Sequence, residues 1–170
     1  MISKKAHVAP DAKIGADTSV WQFASVIRGA VIGEGCVIAS NAIVDGAEIG
    51  DRCLIGHGAG VHPGALIGDE VFIGPGAVLC NDAWPRAHKR GFDAAQRSVT
   101  VENGASIGAC AVVLPGVRIG ARAMVAAGVT VTRDVPPNHL CGPNGVVSPI
   151  TDEEARCEKR SRRALKRMAA

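Results

Sequence analysis

Aliphatic residues recur every six positions along this chain. The clearest run consists of Ile49, Ile55, Val61, Ile67, Ile73 and Leu79. A strand repeats every two residues and a helix every 3.6, so neither element explains this period. A regular six-residue repeat is instead typical of a solenoid, in which short units stack on one another.

The ladder of aliphatic rungs extends in both directions. The further rungs are Ile2, Val8, Ile14, Val20, Val26, Ile32, Ile38 and Val44 upstream, with one residue lost before Ile49, and Val101, Ile107, Val113, Ile119, Val125 and Val131 downstream. A small residue usually lies two positions before a rung, and glycine often follows it. Each hexad therefore predicts a short strand and a tight turn, with glycine where a Cβ would be crowded. If three hexads close one coil, the rungs make nearly seven coils, which form a prism roughly 30 Å long.

This pattern resembles the left-handed parallel β-helix of the hexapeptide-repeat family, over about residues 2–135. The resemblance implies an all-β fold with left-handed coils, an exception to the usual right-handed crossover. It also implies the trimeric assembly usual in that family. We expect the β-helix domain to occupy residues 1–150. The segment Thr151-Asp152-Glu153-Glu154 fits a capping box, which predicts a C-terminal α-helix over 151–170 that caps the solenoid.

Composition is consistent with one globular domain. The 170 residues are 47% hydrophobic but only 3% aromatic, as expected of a thin prism filled with Val, Ile and Ala. No apolar run approaches the ~18 residues of a membrane span, and residues 1–10 lack the apolar region of a signal peptide. We therefore expect a cytoplasmic protein without membrane contact. The net charge of +3 originates in the basic tail, which disfavours a nucleic-acid-binding surface on the body.

The six cysteines contain no Cys-x-x-Cys pair, so their spacing does not predict a metal site. Cys36 and Cys53 occupy the small inward position of their hexads, where a thiol packs as a small hydrophobe. We interpret the cysteines as structural.

One long excursion interrupts the ladder between Leu79 and Val101. It predicts a loop over residues 80–98, rich in amide, carboxylate, indole, imidazole and cationic groups. Function concentrates on loops that a rigid scaffold positions, and the coils themselves offer flat, repetitive faces. The loop is therefore the expected functional segment.

His57 and His62 are separated by five residues and could be metal ligands, a general base or interface residues. The pair resembles the γ-class carbonic anhydrases, hexapeptide-repeat trimers that hold zinc with three histidines across a subunit boundary. The third histidine is missing here: the next one upstream is His7, and the family's Arg-Gly-Asp is Arg28-Gly29-Ala30. Two histidines make a poor zinc site, so no bound metal is predicted.

The loop carries the motif Asn81-Asp82-x-Trp84-Pro85-Arg86-Ala87. It resembles the Asn-Asp-x-x-Pro-Arg-Ala motif of hexapeptide-repeat N-acetyltransferases that act on nucleotide-linked amino sugars, especially 3-amino sugars destined for bacterial surface polysaccharides. Residues Trp21, Phe23, Gly29-Ala30, Ile32-Gly33 and Asn41 fit the same family, whereas Gln22 and Ser40 stand where His and Gln are common.

The resemblance implies transfer of an acetyl group from acetyl-CoA to a sugar amine, between subunits of a homotrimer. Asn81 could accept a hydrogen bond from the attacking amine or donate one to the tetrahedral oxygen, and Asp82 could orient the amine or take its proton. His62, Trp84 and Arg86 are the predicted substrate-binding residues. Small residues late in the solenoid would admit a pantetheine arm, so the predicted acetyl-CoA contacts are Ala109, Ala126, Ala127 and, at the phosphates, Arg133.

Three other functions stay open on the sequence. A metal protein like the γ-carbonic anhydrases would need a third ligand, and an O-acetyltransferase would need a base for the hydroxyl, for which His57 is the candidate. A solenoid without catalysis would not explain the polar loop. Trp21 and Phe23 flank a rung and should point outward, toward a subunit interface or a ligand cleft.

Overall fold

A computed structural model describes residues 1–88 and 98–151, which form a parallel β-helix of about seven coils. The predicted all-β solenoid is confirmed. Within the described residues the strands belong to three sheets, and the chain visits sheets I, II and III in turn.

Sheet I contains β1 (His7–Val8), β4 (Ser25–Ile27), β7 (Ile43–Asp45), β10 (Gly60–Val61), β13 (Val78–Leu79), β16 (Val112–Val113) and β19 (Thr130–Val131). Sheet II contains β2 (Lys13–Ile14), β5 (Val31–Ile32), β8 (Glu48–Ile49), β11 (Leu66–Ile67), β14 (Thr100–Val101) and β17 (Arg118–Ile119). Sheet III contains β3 (Ser19–Val20), β6 (Val37–Ile38), β9 (Leu54–Ile55), β12 (Phe72–Ile73), β15 (Ser106–Ile107), β18 (Met124–Val125), β20 (His139–Cys141) and β21 (Val147–Pro149).

Stacked strands pair in parallel and keep the hexad register. Val61, for example, lies between Val44 of the coil below and Leu79 of the coil above. The exception is β21, which runs antiparallel to β20 after a short 3-10 turn at Pro143–Gly145. The turns between sheets form three edges of the prism, which we name edge I–II, edge II–III and edge III–I.

The rungs fill the core as the hexad pattern predicts. From Val20 onward every rung is buried, whereas Ile2 in the first coil is 51% exposed because no coil lies below it. The small positions are buried too, and in later hexads valine takes this place, at Val71, Val99, Val117 and Val129. One continuous apolar core therefore runs along the prism axis.

Three inward polar side chains form a ladder inside the core near edge II–III. Thr18 Oγ1 donates to the Gly33 carbonyl at 2.7 Å and accepts from the Cys36 amide at 2.9 Å. Cys36 Sγ reaches the Gly50 carbonyl at 3.1 Å, and Cys53 Sγ reaches the Gly68 carbonyl at 3.0 Å. Hydrogen bonding to Cys36, followed by burial, raises the pKa of the Cys53 thiol. These two thiols are structural, as predicted, and they also satisfy backbone carbonyls.

The glycines that follow many rungs are required by close stacking. A Cβ on Gly50 would lie 2.4 Å from Asp69 Oδ1 and 2.8 Å from the Gly68 carbonyl carbon. The same edge carries a carboxylate and amide ladder, in which Asp51 and Asp69 accept from the backbone amides of Glu34 and Asp51 at 2.9 Å. Glycine thus makes room for side chains that bind the next coil.

Replacing Gly50 with alanine should lower the free energy of unfolding, because overpacking in a rigid stack typically costs about 1–3 kcal/mol. For a chain of this size, thermal denaturation should show a midpoint lower by about 3–10 °C. Gly142→Ala is the matched control, since the nearest atom to its added Cβ is 3.7 Å away. Equal midpoints for the two variants would contradict the stacking argument.

Two predicted segments extend beyond the described residues. Residues 80–88 of the predicted loop contain no strand, and residues 89–97 lie outside the described part. The predicted capping helix over 151–170 also lies outside it, apart from Thr151. In residues 1–88 and 98–151 there is no helix with the length and apolar character of a membrane span.

Candidate functional site

Polar side chains collect along edge I–II, where the strands of sheet I end. The turn after β4 carries Arg28, the turn after β7 starts from Asp45, and the turn after β10 carries His62. The next turn of this edge is the extruded loop, which begins at Cys80 directly above His62 because Val61 pairs with Leu79. At the top of the same edge lies Arg133, which follows β19.

The described part of the loop is anchored at its root and shaped by local hydrogen bonds. The Cys80 amide donates to the Val113 carbonyl at 2.9 Å, which fixes the backbone immediately before Asn81. Asp82 Oδ1 accepts from the Trp84 amide at 2.9 Å, an Asx-type turn. Asn81 and Asp82 are partly buried, whereas Trp84 is 73% exposed. The loop therefore holds its two polar residues at the edge and presents an indole outward.

Arg86 and Cys80 complete this segment. Arg86 is exposed and donates from Nη1 to the Pro85 carbonyl at 2.9 Å, which leaves further guanidinium donors for a ligand. Burial raises the pKa of the Cys80 thiol, so it stays protonated beside Asn81. A neutral thiol is a weak nucleophile, which leaves the polar chemistry of this segment to its amide and carboxylate groups.

A cavity of about 350 Å³ separates the loop from the last coils of edge I–II. Ala83 forms one wall, and the opposite wall is formed by Pro115–Val117 and Thr132–Asp134. Arg133 Nη2 donates to the Gly145 carbonyl at 3.3 Å, which places its guanidinium at this cavity. The charged groups that line the cavity are therefore one guanidinium, from Arg133, and one carboxylate, from Asp134.

Two irregular turns bring Arg28 and Asp45 together lower on the edge. Arg28 and Gly29 both have positive φ, 54° and 67°, and the turn at Gly46 is one residue shorter than a hexad requires. Arg28 Nη2 contacts Asp45 Oδ2 at 2.5 Å. Asp45 is 5% exposed, and its Oδ1 has no hydrogen-bond partner among the described residues. Most buried carboxylate oxygens in proteins have a hydrogen-bond partner, so Oδ1 of Asp45 is an exception among the described residues.

His62 lies one coil above Asp45 on the same edge, since Val61 pairs with Val44. Its imidazole folds back over Gly60: a Cβ on Gly60 would lie 3.1 Å from His62 Nε2. Gly60 faces outward on sheet I between Ile43 and Val78, so its missing side chain provides the space that the ring occupies.

The predicted acetyl-CoA contacts divide between two edges. Ala109, Ala126 and Ala127 lie on edge III–I, in the turns after β15 and β18. These turns stack closely, since a Cβ on Gly108 would lie 2.4 Å from the Ala127 amide nitrogen. Arg133 lies instead on edge I–II with the loop. Within one chain the three alanines do not meet Asn81; the two groups flank sheet I from opposite sides.

His57 and the exposed aromatic residues also lie on edge III–I. His57 follows β9, so it is on the opposite side of sheet I from His62. Trp21 and Phe23 are 50% and 59% exposed, and the Lys5 ammonium lies 5.8 Å from the centroid of the Phe23 ring. The described residues contain no group of three or more His, Cys, Asp or Glu side chains arranged to hold a metal ion.

Sequence reasoning missed Asp45 and its ion pair. Two signals could have identified it: the ladder loses its one residue immediately after Asp45, and a carboxylate there follows a buried rung. The Asp45 side chain beside this shortened turn is buried. The pairing with Arg28 depends on stacking across a separation of 17 residues, which a linear reading does not show.

The repeats and the fold place this chain in a known family. The model of the bacterial transferase hexapeptide family, with six repeats, matches residues 11–46, 46–81 and 98–133. The chain therefore belongs to that family, and the interval that the repeats skip coincides with the loop on edge I–II.

Two curated relatives illustrate the similarity, and one of them is named as an acetyltransferase. The bifunctional protein GlmU of Brevibacillus brevis is 36% identical over 133 residues, covering 78% of this chain and 27% of the relative. Serine acetyltransferase 4 of Arabidopsis thaliana is 39% identical over 100 residues, covering 58% of this chain and 26% of the relative. The chain spans only about a quarter to two fifths of the length of the curated relatives it matches.

Solved structures share the fold. A mutant of perosamine N-acetyltransferase from Caulobacter crescentus, in complex with CoA and GDP-perosamine, has a TM-score of 0.55 and 25% identity, covering 86% of this chain and 55% of that one. A mutant of AntD, an N-acyltransferase from Bacillus cereus in complex with dTDP-4-amino-4,6-dideoxyglucose and coenzyme A, has a TM-score of 0.68 and 15% identity, covering 89% and 90%. At this identity the second likeness concerns the fold alone.

Proposed function

We propose that this protein is an N-acetyltransferase that moves an acetyl group from acetyl-CoA to the amine of a nucleotide-linked amino sugar, with a 3-amino sugar the favoured acceptor. The observation that carries the proposal is the loop on edge I–II, which holds Asn81 and Asp82 above His62 and beside the cavity at Arg133. The perosamine N-acetyltransferase, solved with CoA and a nucleotide-linked amino sugar, supports the substrate class. A product of this kind suits the assembly of surface polysaccharides.

The chemistry requires a neutral amine and a donor for the developing oxyanion. The amine nitrogen attacks the thioester carbon, the oxygen gains charge, and the sulfur departs as thiolate. Asn81 at the loop root has both an amide donor and a carbonyl acceptor, so it can orient the amine or stabilise the oxyanion. Asp82, next to it, can orient the amine; Trp84 and Arg86 can contact the sugar, the base and the diphosphate.

The positions of the two groups of residues favour a site between subunits. Asn81 lies on edge I–II and Ala127 on edge III–I, so one prism cannot present both to the same cleft. Sheet I lies between these edges, and its outward residues are mostly small or apolar: Ser25, Ile43, Gly60, Val78, Val112 and Thr130. A homotrimer with sheet I toward its axis would bury this face and bring edge I–II of one subunit against edge III–I of the next.

Acetyl-CoA fits the small-residue side of that composite cleft. Ala109, Ala126 and Ala127 leave a shallow surface on which a pantetheine arm can lie along the coils. Arg133 would then reach the phosphates from the facing edge of the neighbouring subunit. This arrangement retains the predicted contacts but draws them from two copies of the chain.

The direct test is a thiol-release assay with acetyl-CoA and a panel of 2-, 3- and 4-amino sugars linked to UDP, dTDP or GDP. We expect thiol release with at least one 3-amino sugar, at a rate well above hydrolysis without acceptor, and acetamido product by mass spectrometry. The matching sugars with a hydroxyl in place of the amine are the controls. Thiol release with the hydroxyl sugars, or with no member of the panel, would contradict the proposal.

A further inference from the structure

We propose that the basic segment of the chain after Thr151 docks along sheet II of its own subunit, in a groove bordered by the acidic edge II–III. The inference goes beyond the proposed function and does not depend on it. It rests on an uncovered groove, on the point at which the chain leaves its last strand, and on the order of charges along the groove and along the segment.

The groove has a volume of about 670 Å³ and follows the border between sheet II and edge II–III. It extends from Val31 of β5 to Ala121 beside β17. Val31 and Leu66 on its floor are 39% and 46% exposed, and Glu48 lies between them on the sheet. Its charged lining consists of the carboxylates of Glu48, Asp69 and Glu102. The groove therefore offers an apolar strip with acidic groups along it.

The neighbouring edge is acidic along most of its length. The described turns of edge II–III carry two guanidiniums, from Arg52 and Arg122, and six carboxylates, from Asp17, Glu34, Asp51, Asp69, Glu70 and Glu102. Among the described residues, Asp17, Glu34 and Glu48 have no ion-pair partner. Carboxylates on successive coils repel one another, so a facing row of cations would stabilise them.

The chain leaves its last strand at the top of this edge. β20 starts from edge II–III, and the antiparallel β21 returns to it, with Pro149 opposite His139. The Ile150 amide then donates to the Asn138 carbonyl at 2.9 Å, on the uppermost turn of the edge. Thr151 is exposed there, so the residues that follow it can descend along sheet II.

The order of charges in the segment matches the order of charges along the edge. Residues 152–154 are all acidic, whereas residues 156–167 contain seven basic side chains and one acidic one. At the top of the edge lie Arg118 and Arg122, and the carboxylates begin one coil below, at Glu102. A segment that descends from Thr151 therefore meets opposite charges in sequence, first the arginines and then the carboxylates.

The reach and the apolar positions of the segment also fit the groove. If residues 152–170 are helical, as the capping box predicts, they extend about 28 Å. Asn138 and Glu34 are separated by five coils, which is roughly 24 Å. One face of such a helix carries the apolar side chains Cys157, Ala164, Leu165 and Met168. This face can lie on the floor of the groove while the basic side chains reach the carboxylates.

The first test measures hydrogen–deuterium exchange of residues 152–170 in the full-length protein. At low salt their amides should exchange at least about 10-fold more slowly than in a synthetic peptide of the same sequence. Sodium chloride at about 1 M should remove most of this protection, because the Debye length falls to about 3 Å. A short helix is marginal alone in water, so the protection reports docking. Equal exchange in protein and peptide would overturn the proposal.

Charge reversal in the groove should release the segment. Glu34→Lys/Glu48→Lys changes two exposed carboxylates and should bring the exchange to within about 2-fold of that of the peptide. Adding Arg163→Glu/Lys166→Glu to this variant should restore most of the protection. Asp11→Lys, at an exposed carboxylate on edge I–II, is the control and should keep it. If the lysine variant fails to fold by circular dichroism, Glu34→Gln/Glu48→Gln replaces it. Protection unchanged in the folded variant would overturn the proposal.

The last test identifies the docking surface and the chain that supplies the segment. A carbodiimide joins lysine amines to carboxylates in contact with them, and the protein is prepared by refolding a mixture of nitrogen-14 and nitrogen-15 chains. Cross-links from Lys159 and Lys166 should reach Glu48 and the carboxylates of edge II–III, in peptide pairs that carry one isotope. Pairs with both isotopes would assign the segment to a neighbouring subunit, and cross-links chiefly to Asp11 or Asp134 would place it on edge I–II. Either result would overturn the proposal.

Discussion

Asn81→Ala should lower kcat by about 100-fold to 1,000-fold, which is the loss expected when one oxyanion donor is removed. The KM for acetyl-CoA should change little, because Asn81 is not among the predicted cofactor contacts, which are Ala109, Ala126 and Ala127 on edge III–I and Arg133 on edge I–II. The measurement is steady-state thiol release with the acceptor identified from the panel.

His57→Ala is the comparison that makes this result specific. His57 is exposed on edge III–I, and it is the base that an O-acetyltransferase would require. We expect His57→Ala to retain activity toward the amino sugar. A kcat near the wild-type value for Asn81→Ala would remove its catalytic role, and abolished turnover in His57→Ala would favour a hydroxyl acceptor.

Two inactive variants on different edges should restore activity when their subunits are mixed. Asn81→Ala disables edge I–II, and Ala127→Trp blocks the exposed small-residue surface of edge III–I. In every trimer that contains both variants, one site in three draws its two edges from intact copies, so the mixed trimers should show about a third of wild-type activity. Co-expression with two affinity tags, followed by tandem purification and the thiol-release assay, provides the measurement.

The control mixture combines Asn81→Ala with Asn81→Asp, which carry their defects at the same position and cannot complement. Its activity should not exceed the mean of the two variants alone. An absence of recovery in the Asn81→Ala and Ala127→Trp mixture, with trimers present by light scattering, would show that each site is formed by one chain.

Much of the fold follows from the hexad pattern because successive hexads carry the same types of residue at the same positions. An aliphatic residue at every sixth position, with a small residue two places earlier, has one arrangement that buries all of them. The rungs Ile55, Ile73 and Ile107 are fully buried in that arrangement, as predicted. The repeat also identified the loop, since an interruption of the six-residue period can be seen in the sequence without a structure.

The site was less accessible to sequence reasoning because it depends on which edge a turn occupies. Ala127 and Arg133 are six residues apart, yet they lie on different edges, since β19 separates them. Conversely, Arg28 and Asp45 are distant in sequence and in direct contact. Each hexad advances the chain by one edge, so residues that belong together are separated by about one full coil. Closeness in the sequence is therefore a poor guide to which residues lie on the same edge of this fold.

The reversal of β21 against β20 has a consequence for association in solution. A parallel solenoid ends in unpaired strand groups that invite further strands, and such open ends are a recognised route to aggregation. Here the last strand of sheet III is covered by an antiparallel partner that finishes at Pro149, which has no amide hydrogen to donate. The pairing of β20 with β21 therefore disfavours the addition of a strand from another molecule at this end of sheet III.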